Sequence, residues 1–198
     1  MSLIKYASKE ITCKIVYYGP GRAGKTTNLK FLFTKIPVDK KSDLVSLATE
    51  SDRTLFFDFL PIELGNFRGF RTRFQLYTVP GQVYYDSTRR LVLQGADGIV
   101  FVADSSDSRF EDNIVSMENM IENMEKNGLS VDEVPIVIQY NKRDLPDVVS
   151  VSQLEKSLNP NGFKYFESIA IKGEGVASTF KEIGMQVLKS IKMKLGLE

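Results

Sequence analysis

Two runs of apolar residues, 98–104 (GIVFVAD) and 135–141 (PIVIQYN), constrain the fold more than any other feature. Each has the length of a strand and is almost wholly apolar, a pattern typical of a strand that is covered on both faces. Four more strand-length runs lie at residues 12–18, 54–62, 71–79 and 164–171. Helix-like segments separate most of these runs, so the pattern predicts an α/β fold with a mainly parallel sheet.

The connection between two of these runs predicts a hairpin. Residues 54–62 and 71–79 are separated by a short segment, GNFRG, which is typical of an antiparallel turn. Helices are predicted at residues 25–34, 87–94, 113–126 and 176–195. We therefore expect a six-stranded, mostly parallel sheet with helices on both faces. Ligands of such sheets bind at the carboxyl ends of the strands.

The composition excludes several classes of function. The chain has 26 Lys and Arg against 25 Asp and Glu, so neither a basic face for nucleic acid nor a polybasic membrane patch is expected. Histidine is absent, which rules out serine–histidine and zinc–histidine mechanisms. The single cysteine, Cys13, cannot form an intrachain disulfide. We see no membrane-length apolar stretch, signal peptide or lipidation motif, and expect a cytoplasmic protein without a membrane anchor.

A glycine-rich segment, GPGRAGKT at residues 19–26, lies between the first predicted strand and the first predicted helix. It fits the pattern G-x-x-x-x-G-K-[ST], in which backbone N–H groups and the positive end of a helix face a phosphate. We call residues 19–26 the phosphate loop. Its lysine supplies a mobile cation, and the hydroxyl of its threonine can bind Mg²⁺. The predicted nucleotide contacts in and beside the loop are Gly19, Gly21, Arg22, Ala23, Gly24, Lys25, Thr26 and Thr27.

A second segment, NKRD at residues 141–144, predicts which base is bound, and we call it the base loop. Asp144 can accept hydrogen bonds from N1–H and the exocyclic amine of guanine. Adenine offers neither donor there and would leave a desolvated carboxylate unpaired. Asn141 can tie the base loop to the phosphate loop, and the stem of Lys142 can lie over the base. The two loops together predict a site for GTP and GDP.

The phosphate loop and the base loop resemble the motifs of the Ras-like small GTPases, over residues 11–195. The resemblance implies a P-loop NTPase fold, with residues 1–198 forming a single Ras-like G domain. Residues 1–10 would be its strand-like N-terminal extension. The family's third guanine element, Ser-Ala-Lys, falls on residues 169–171, where only Ala170 matches. The backbone N–H of Ala170 is expected to face the guanine oxygen.

The resemblance also implies the machinery of GTP hydrolysis. The segment TVPGQ at residues 78–82 aligns with the family's D-x-x-G-Q. Gly81 is therefore expected to sense the γ-phosphate, and Gln82 to orient the attacking water. Thr78 stands where the family has an aspartate on the Mg²⁺ side. Asp58, on the neighbouring predicted strand, either replaces that carboxylate or is an ordinary strand charge.

The segment ESDRTLFF contributes two more candidates. Thr54 stands where the family's first switch offers a threonine to Mg²⁺, so Thr26 and Thr54 are the predicted metal ligands. Arg53 is predicted to act as an arginine finger within the same chain, a group that can accelerate phosphoryl transfer by about 10³–10⁵-fold. A solvated loop arginine is the alternative.

Longer segments narrow the resemblance. The threonine at residue 78 and the segments YYGPG, GKTTNLK, SLATESDRTLFFDFLP and LYTVPGQVYYDSTRRLVLQGADGIVFVADS are similar to the MglA group of bacterial Ras-like GTPases. The resemblance implies a switch of cell polarity and of gliding or twitching motility, which is GTP-bound at a cell pole. It further implies slow hydrolysis without a partner, a roadblock-fold GTPase-activating partner similar to MglB, and effectors that bind the switch regions.

Two rival functions stay open on the residues alone. The departures at Thr78 and Ile169 permit a guanine-nucleotide-binding scaffold with negligible hydrolysis. A P-loop kinase acting on a small molecule is the third interpretation, against which Asp144 argues because it disfavours ATP. Single-turnover γ-phosphate release and competition between GDP and ADP distinguish the three.

Overall fold

The computed structural model describes residues 3–48, 54–67, 69–81 and 85–194. The strands in these ranges are β1 (Leu3–Lys5), β2 (Glu10–Tyr18), β3 (Val45–Ala48), β4 (Thr54–Phe67), β5 (Phe70–Thr78), β6 (Gly98–Asp104), β7 (Ile136–Asn141) and β8 (Lys164–Glu167). The helices are α1 (Lys25–Lys35), α2 (Asp86–Leu93), α3 (Phe110–Lys126), α4 (Val151–Leu158) and α5 (Val176–Lys194). Short 3₁₀ turns lie at Val38–Lys40 and Asp107–Arg109.

The strands of the described residues form one sheet in the order β3-β4-β5-β2-β6-β7-β8, with β1 paired to β2. The pairs β2–β5, β2–β6, β6–β7 and β7–β8 are parallel, whereas β1–β2, β3–β4 and β4–β5 are antiparallel. This confirms the mostly parallel sheet and the hairpin between β4 and β5. The expected strands are β2 and β4–β8, and β1 forms within the extension. The four-residue strand β3 was not predicted, because so short a segment carries no readable apolar period.

The alternation of side chains along β2 shows how the sheet supports a core on each face. Ile15 and Tyr17 pack in a cluster with residues of α1 and α5, whereas Val16 and Tyr18 pack with residues of α2, α3 and α4. All four side chains are fully buried. Successive side chains of a strand point to opposite faces, so a strand buried on both faces must be apolar throughout. The long apolar runs of β6 and β7 have the same cause.

Helix α4 was not predicted. Its eight residues bury only Leu154 and Leu158, so the apolar stripe is too brief to stand out. The helix is instead marked at its start by Ser150, whose Oγ accepts a hydrogen bond from the N–H of Gln153 at 3.2 Å.

The parallel strands position the candidate site. The phosphate loop follows β2, the segment with Gly81 follows β5, and the base loop begins at the last residue of β7. Because β2, β5 and β7 run parallel, these segments lie at the same edge of the sheet. Among the helices of the described part of the chain, none is long and apolar enough to traverse a bilayer.

Candidate functional site

The phosphate loop needs two of its glycines because of close contacts. A Cβ atom on Gly19 would lie 2.1 Å from the carbonyl oxygen of Val102, and one on Gly24 would lie 2.2 Å from Asn141 Nδ2. Both glycines also have φ angles in the left-handed region, 138° and 105°. The loop can therefore approach β6 and the base loop only because these positions lack side chains.

The start of α1 is suited to an anion. Its N-cap residue is Gly24, so no side chain caps the first turn. Lys25 Nζ donates to the carbonyl oxygens of Gly19 and Pro20, both at 2.7 Å. Burial lowers the pKa of Lys25 to about 7, and attraction to Asp58 opposes part of this shift. A phosphate beside the ammonium would offset the cost of burying its charge.

A buried carboxylate lies beside the threonine of the phosphate loop. Thr26 Oγ1 donates to Asp58 Oδ2 at 2.5 Å, and Thr78 Oγ1 donates to the same oxygen at 2.7 Å. The N–H of Asp58 donates to Thr78 Oγ1 at 2.8 Å, and both residues are 0% exposed. A hydroxyl that gives its proton to a carboxylate keeps its oxygen lone pairs for a cation. The carboxylate of Asp58 in the adjacent strand, β4, thus lies beside Thr78, the residue that stands where the Ras-like pattern has an aspartate.

The segment after β5 contacts the phosphate loop. A Cβ atom on Gly81 would lie 2.3 Å from both N and Cα of Gly21 and 2.6 Å from the carbonyl carbon of Pro20. A Cβ atom on Gly21 would instead have the carbonyl oxygen of Gly81 as its nearest neighbour, at 3.5 Å. Only a glycine therefore fits at residue 81, whereas residue 21 has room for one methyl group.

Asn141 joins three loops through its side-chain amide. Its Nδ2 donates to the carbonyl oxygen of Ala23 at 2.7 Å, which ties the base loop to the phosphate loop. Its Oδ1 accepts from Ser168 Oγ at 3.0 Å and from the N–H of Ala170 at 2.9 Å. The N–H that the resemblance assigns to the guanine oxygen therefore has an amide oxygen as its partner here. Ser168 supplies a hydroxyl that the motif at residues 169–171 lacks.

The charged residues of the base loop have ionic partners that the sequence did not reveal. Lys142 Nζ lies 2.6 Å from Asp104 Oδ2, a carboxylate that is 1% exposed. Asp104 Oδ1 accepts from the N–H and the Oγ of Ser106, at 3.1 and 2.8 Å, so the carboxylate is itself held in place. Asp144 Oδ2 lies 3.7 Å from Lys172 Nζ, at the exposed side of the loop. Both partners are distant in sequence, so no local motif marks them.

A buried network of polar side chains connects α1 to the sheet. Asn28 Nδ2 donates to Gln139 Oε1 at 2.8 Å, and Gln139 Nε2 donates to Asn28 Oδ1 and Thr179 Oγ1, both at 3.0 Å. All three residues are 0% exposed. A satisfied buried network rigidifies its surroundings, so α1 is oriented relative to β7 and α5. The signal in the sequence was a polar residue, Gln139, in the interior of an apolar run.

Arg109 is a further residue that sequence analysis missed. It lies in the 3₁₀ turn before α3, and its Nη2 donates to the carbonyl oxygen of Gly21 at 2.9 Å. Its Nη1 lies 2.6 Å from Asp112 Oδ2. The guanidinium therefore braces the phosphate loop from the α3 side, and its charge contributes to the lowered pKa of Lys25.

Of the remaining predicted site residues, three lie within the described ranges and two do not. Arg22 is exposed with a φ angle of 64°, Thr27 is half-buried in α1, and Thr54 is the first residue of β4. The two predicted catalytic residues, Arg53 and Gln82, lie outside the described residues.

Comparison with known proteins identifies a matching family and several related sequences. The model of the ADP-ribosylation factor family matches residues 1–187. The chain is 53% identical over 192 residues to mutual gliding-motility protein MglA of Myxococcus xanthus (strain DK1622), covering 97% of this chain and 98% of that protein. It is 26% identical over 193 residues to ADP-ribosylation factor-like protein 6 of Caenorhabditis elegans, covering 95% and 92%. It is 29% identical over 148 residues to ADP-ribosylation factor-like protein 4D of Bos taurus, covering 73% and 64%.

Proposed function

The chain belongs to the ADP-ribosylation factor family and is a small GTPase, and we propose that it is the GTP-driven switch of cell polarity and of gliding or twitching motility. The observation that carries the proposal is the set of hydrogen bonds through which Asn141 joins the base loop to the phosphate loop and to the segment of Ser168 and Ala170. A nucleotide must engage both loops at once, and this amide holds them together. The motility role is supported by the full-length similarity to a protein named for mutual gliding motility.

In this proposal the nucleotide lies along the carboxyl edge of the sheet. The backbone N–H groups of the phosphate loop and Lys25 bind the β- and γ-phosphates, and Asp144 accepts from the guanine ring. The stem of Lys142 lies over the base. The buried position of Lys25, with its lowered pKa, supports this arrangement because an adjacent anion stabilises the ammonium.

Mg²⁺ fits the residues beside the phosphate loop. Thr26 and the first-switch residue Thr54 are its proposed ligands, with Asp58 orienting the Thr26 hydroxyl. Across the described ranges, no three Cys, Asp or Glu side chains form a cage for a metal ion. That is compatible with Mg²⁺, which takes one or two protein ligands plus water and phosphate oxygens. Bound there, the ion would neutralise charge on the β- and γ-phosphate oxygens.

Hydrolysis depends on positioning rather than on a strong base. We assign the orientation of the attacking water to Gln82, the sensing of the γ-phosphate to the N–H of Gly81, and stabilisation of the transferring phosphoryl group to Arg53. The contact between Gly81 and Gly21 supports this assignment, since it brings the segment after β5 onto the phosphate loop.

Replacing Gly21 by valine is expected to leave GTP binding intact but to slow hydrolysis by about tenfold or more. The added Cβ would lie at ordinary contact distance from Gly81, 3.5 Å from its carbonyl oxygen and 3.7 Å from its carbonyl carbon, but the γ-methyl groups extend beyond it and displace that segment. Single-turnover release of γ-phosphate measures the effect. Gly21→Ala is the matched control and should slow the reaction less, because its methyl group fits. Unchanged turnover in the valine variant would contradict the role of this contact.

Replacing Asp104 by asparagine is expected to speed the release of GDP by about tenfold. The substitution removes the charge that holds Lys142 Nζ at 2.6 Å, so the lysine stem no longer lies fixed beside the base. Stopped-flow release of a fluorescent GDP analogue measures the rate. Asp107→Asn, the same change at an exposed position three residues further on, is the control. Equal release rates in the asparagine variant and the unaltered chain would show that the ion pair does not support the base.

The proposed function is tested by single-turnover γ-phosphate release, with and without a roadblock-fold partner similar to MglB. We expect slow hydrolysis alone and faster hydrolysis with the partner, together with competition by GDP but not ADP. Binding of GTP without hydrolysis in either condition would indicate a nucleotide-dependent scaffold instead.

Imaging of a fluorescent fusion tests the accompanying proposal of a cytoplasmic protein that concentrates at a cell pole with polarity or motility effectors. We also propose that the chain forms one G domain, which the single continuous sheet supports.

A further inference from the structure

Helix α3 and its C-cap residue carry three asparagines, spaced one turn apart, that lie beside helix α2. They are Asn119, Asn123 and Asn127, and we call them the asparagine ladder. Asn123 is 0% exposed, and Asn127 Nδ2 donates to the carbonyl oxygen of Arg90 in α2 at 2.9 Å. Buried amides cost free energy unless they are hydrogen-bonded, so a row of one buried and two half-buried asparagines indicates a specific partner.

The partner is the first residue of α2. Asn119 Nδ2 and Asn123 Nδ2 donate to Asp86 Oδ1, at 2.7 and 2.8 Å. Arg89 adds a contact from Nη2 to the same oxygen at 3.3 Å, and its Nε donates to Asn119 Oδ1 at 2.8 Å. One carboxylate oxygen therefore gathers donors from both helices. These bonds also lower the pKa of Asp86, with Asn119 contributing most.

The asparagine ladder also contacts β2, the strand that precedes the phosphate loop. Tyr18 OH donates to Asn119 Oδ1 at 2.6 Å, and Asn123 Nδ2 lies 3.4 Å from Tyr18 OH. Tyr18 is fully buried and is the last residue of β2, directly before Gly19. Hydrogen bonds thus connect the start of α2 to the root of the phosphate loop.

The two ends of α2 are anchored by different forces. Val92 and Leu93, at its C-terminal end, are buried in the apolar cluster that also contains Val16 and Tyr18 of β2. In its N-terminal turn the buried residue is Arg89, and the described residues of that turn include Asp86 and Arg89, which form hydrogen bonds with Asn119 and Asn123. The position of the N-terminal turn therefore depends on directional hydrogen bonds, which specify geometry more narrowly than apolar burial does.

We propose that Tyr18, Asn119 and Asn123 are positioning residues for GTP hydrolysis, which act by fixing the N-terminal turn of α2 through Asp86. Gln82, to which the proposed function assigns the attacking water, precedes Asp86 by only four residues, so we expect a displacement of this turn to reach the catalytic glutamine. The inference rests on the proposed function, because it concerns the same reaction. A misplacement of about 1 Å can cost about 100-fold in rate.

The test is Asn123→Asp, which removes a donor and sets a second carboxylate against Asp86. We expect the single-turnover rate of GTP hydrolysis to fall by about tenfold or more, with the Kd for a fluorescent GDP analogue changed by less than about twofold. The exchange variant, Asp86→Asn with Asn123→Asp, restores an amide–carboxylate pair and should recover most of the rate. Tyr18→Phe removes one hydroxyl from the same network and should slow hydrolysis in the same selective way.

Asn127→Asp is the matched control, since it makes the same chemical change four residues further on, at the C-cap of α3 and against the C-terminal half of α2. It should leave hydrolysis within about twofold of the unaltered chain. Equal hydrolysis in Asn123→Asp, or parallel losses of rate, GDP affinity and Tm that the exchange does not restore, would overturn the inference. An unaltered chain that hydrolyses no GTP would contradict the proposed function and this inference with it. Normal hydrolysis by the unaltered chain and the Asn123→Asp variant alike would contradict only the inference.

Discussion

Replacing Asp144 by asparagine is expected to lower the affinity for GDP by about 10⁴-fold, the largest effect predicted for any single residue of this chain. The carboxylate accepts hydrogen bonds from two guanine donors, N1–H and the exocyclic amine. Asparagine offers one acceptor, and its amide N–H groups face the donors of the ring. Isothermal titration with GDP measures the loss. Asp147→Asn, an equivalent change at an exposed position of the same connection, should bind GDP normally.

The same variant is also expected to gain affinity for a different nucleotide, which makes the test specific. Xanthine carries an oxygen where guanine carries the exocyclic amine, so the asparagine amide can donate to it while its oxygen accepts from N1–H. Asp144→Asn should therefore bind xanthosine diphosphate more tightly than GDP, whereas the unaltered chain should show the reverse order. A variant that loses both ligands equally would indicate a collapsed loop, and one that retains GDP would remove Asp144 from the guanine site.

Replacing Asp58 by asparagine is expected to raise the Mg²⁺ concentration needed for half-maximal GTP hydrolysis by about 10–100-fold. The buried carboxylate accepts from Thr26 Oγ1 and Thr78 Oγ1, and so orients the hydroxyl proposed to ligate the ion. An amide of the same size retains the shape but removes the charge and one acceptor. Glu63→Gln, which removes a more exposed charge from the same strand, is the control.

An exchange variant sharpens this prediction. Because Thr78 Oγ1 and Asp58 Oδ2 lie 2.7 Å apart, Asp58→Thr with Thr78→Asp moves the carboxylate to the strand on which the Ras-like pattern has it. We expect this double variant to need less Mg²⁺ than Asp58→Asn does. Unchanged Mg²⁺ dependence in Asp58→Asn would show that the carboxylate serves only the packing between β4 and β5.

Much of the fold was predictable because its signals are local. The apolar runs of β6 and β7 specify buried strands, and the two-residue period of β2 explains its contribution to both cores. The elements that escaped prediction were short, β3 with four residues and α4 with eight, and so few residues do not establish a period.

The sequence by itself determined the chemistry that contiguous residues carry: a glycine-rich turn into a helix for phosphate, and a strand-end aspartate for guanine. The tertiary structure decided which groups complete them. Asp58 reaches Thr26 across 32 residues of chain, and Asp104 reaches Lys142 across 38. Asp86 meets Asn119 across 33 residues. A hydrogen bond requires partners within about 3 Å of each other but sets no limit on their separation along the chain. Only the pairing of strands and the packing of helices on the sheet bring such residues together, so no local pattern encodes them.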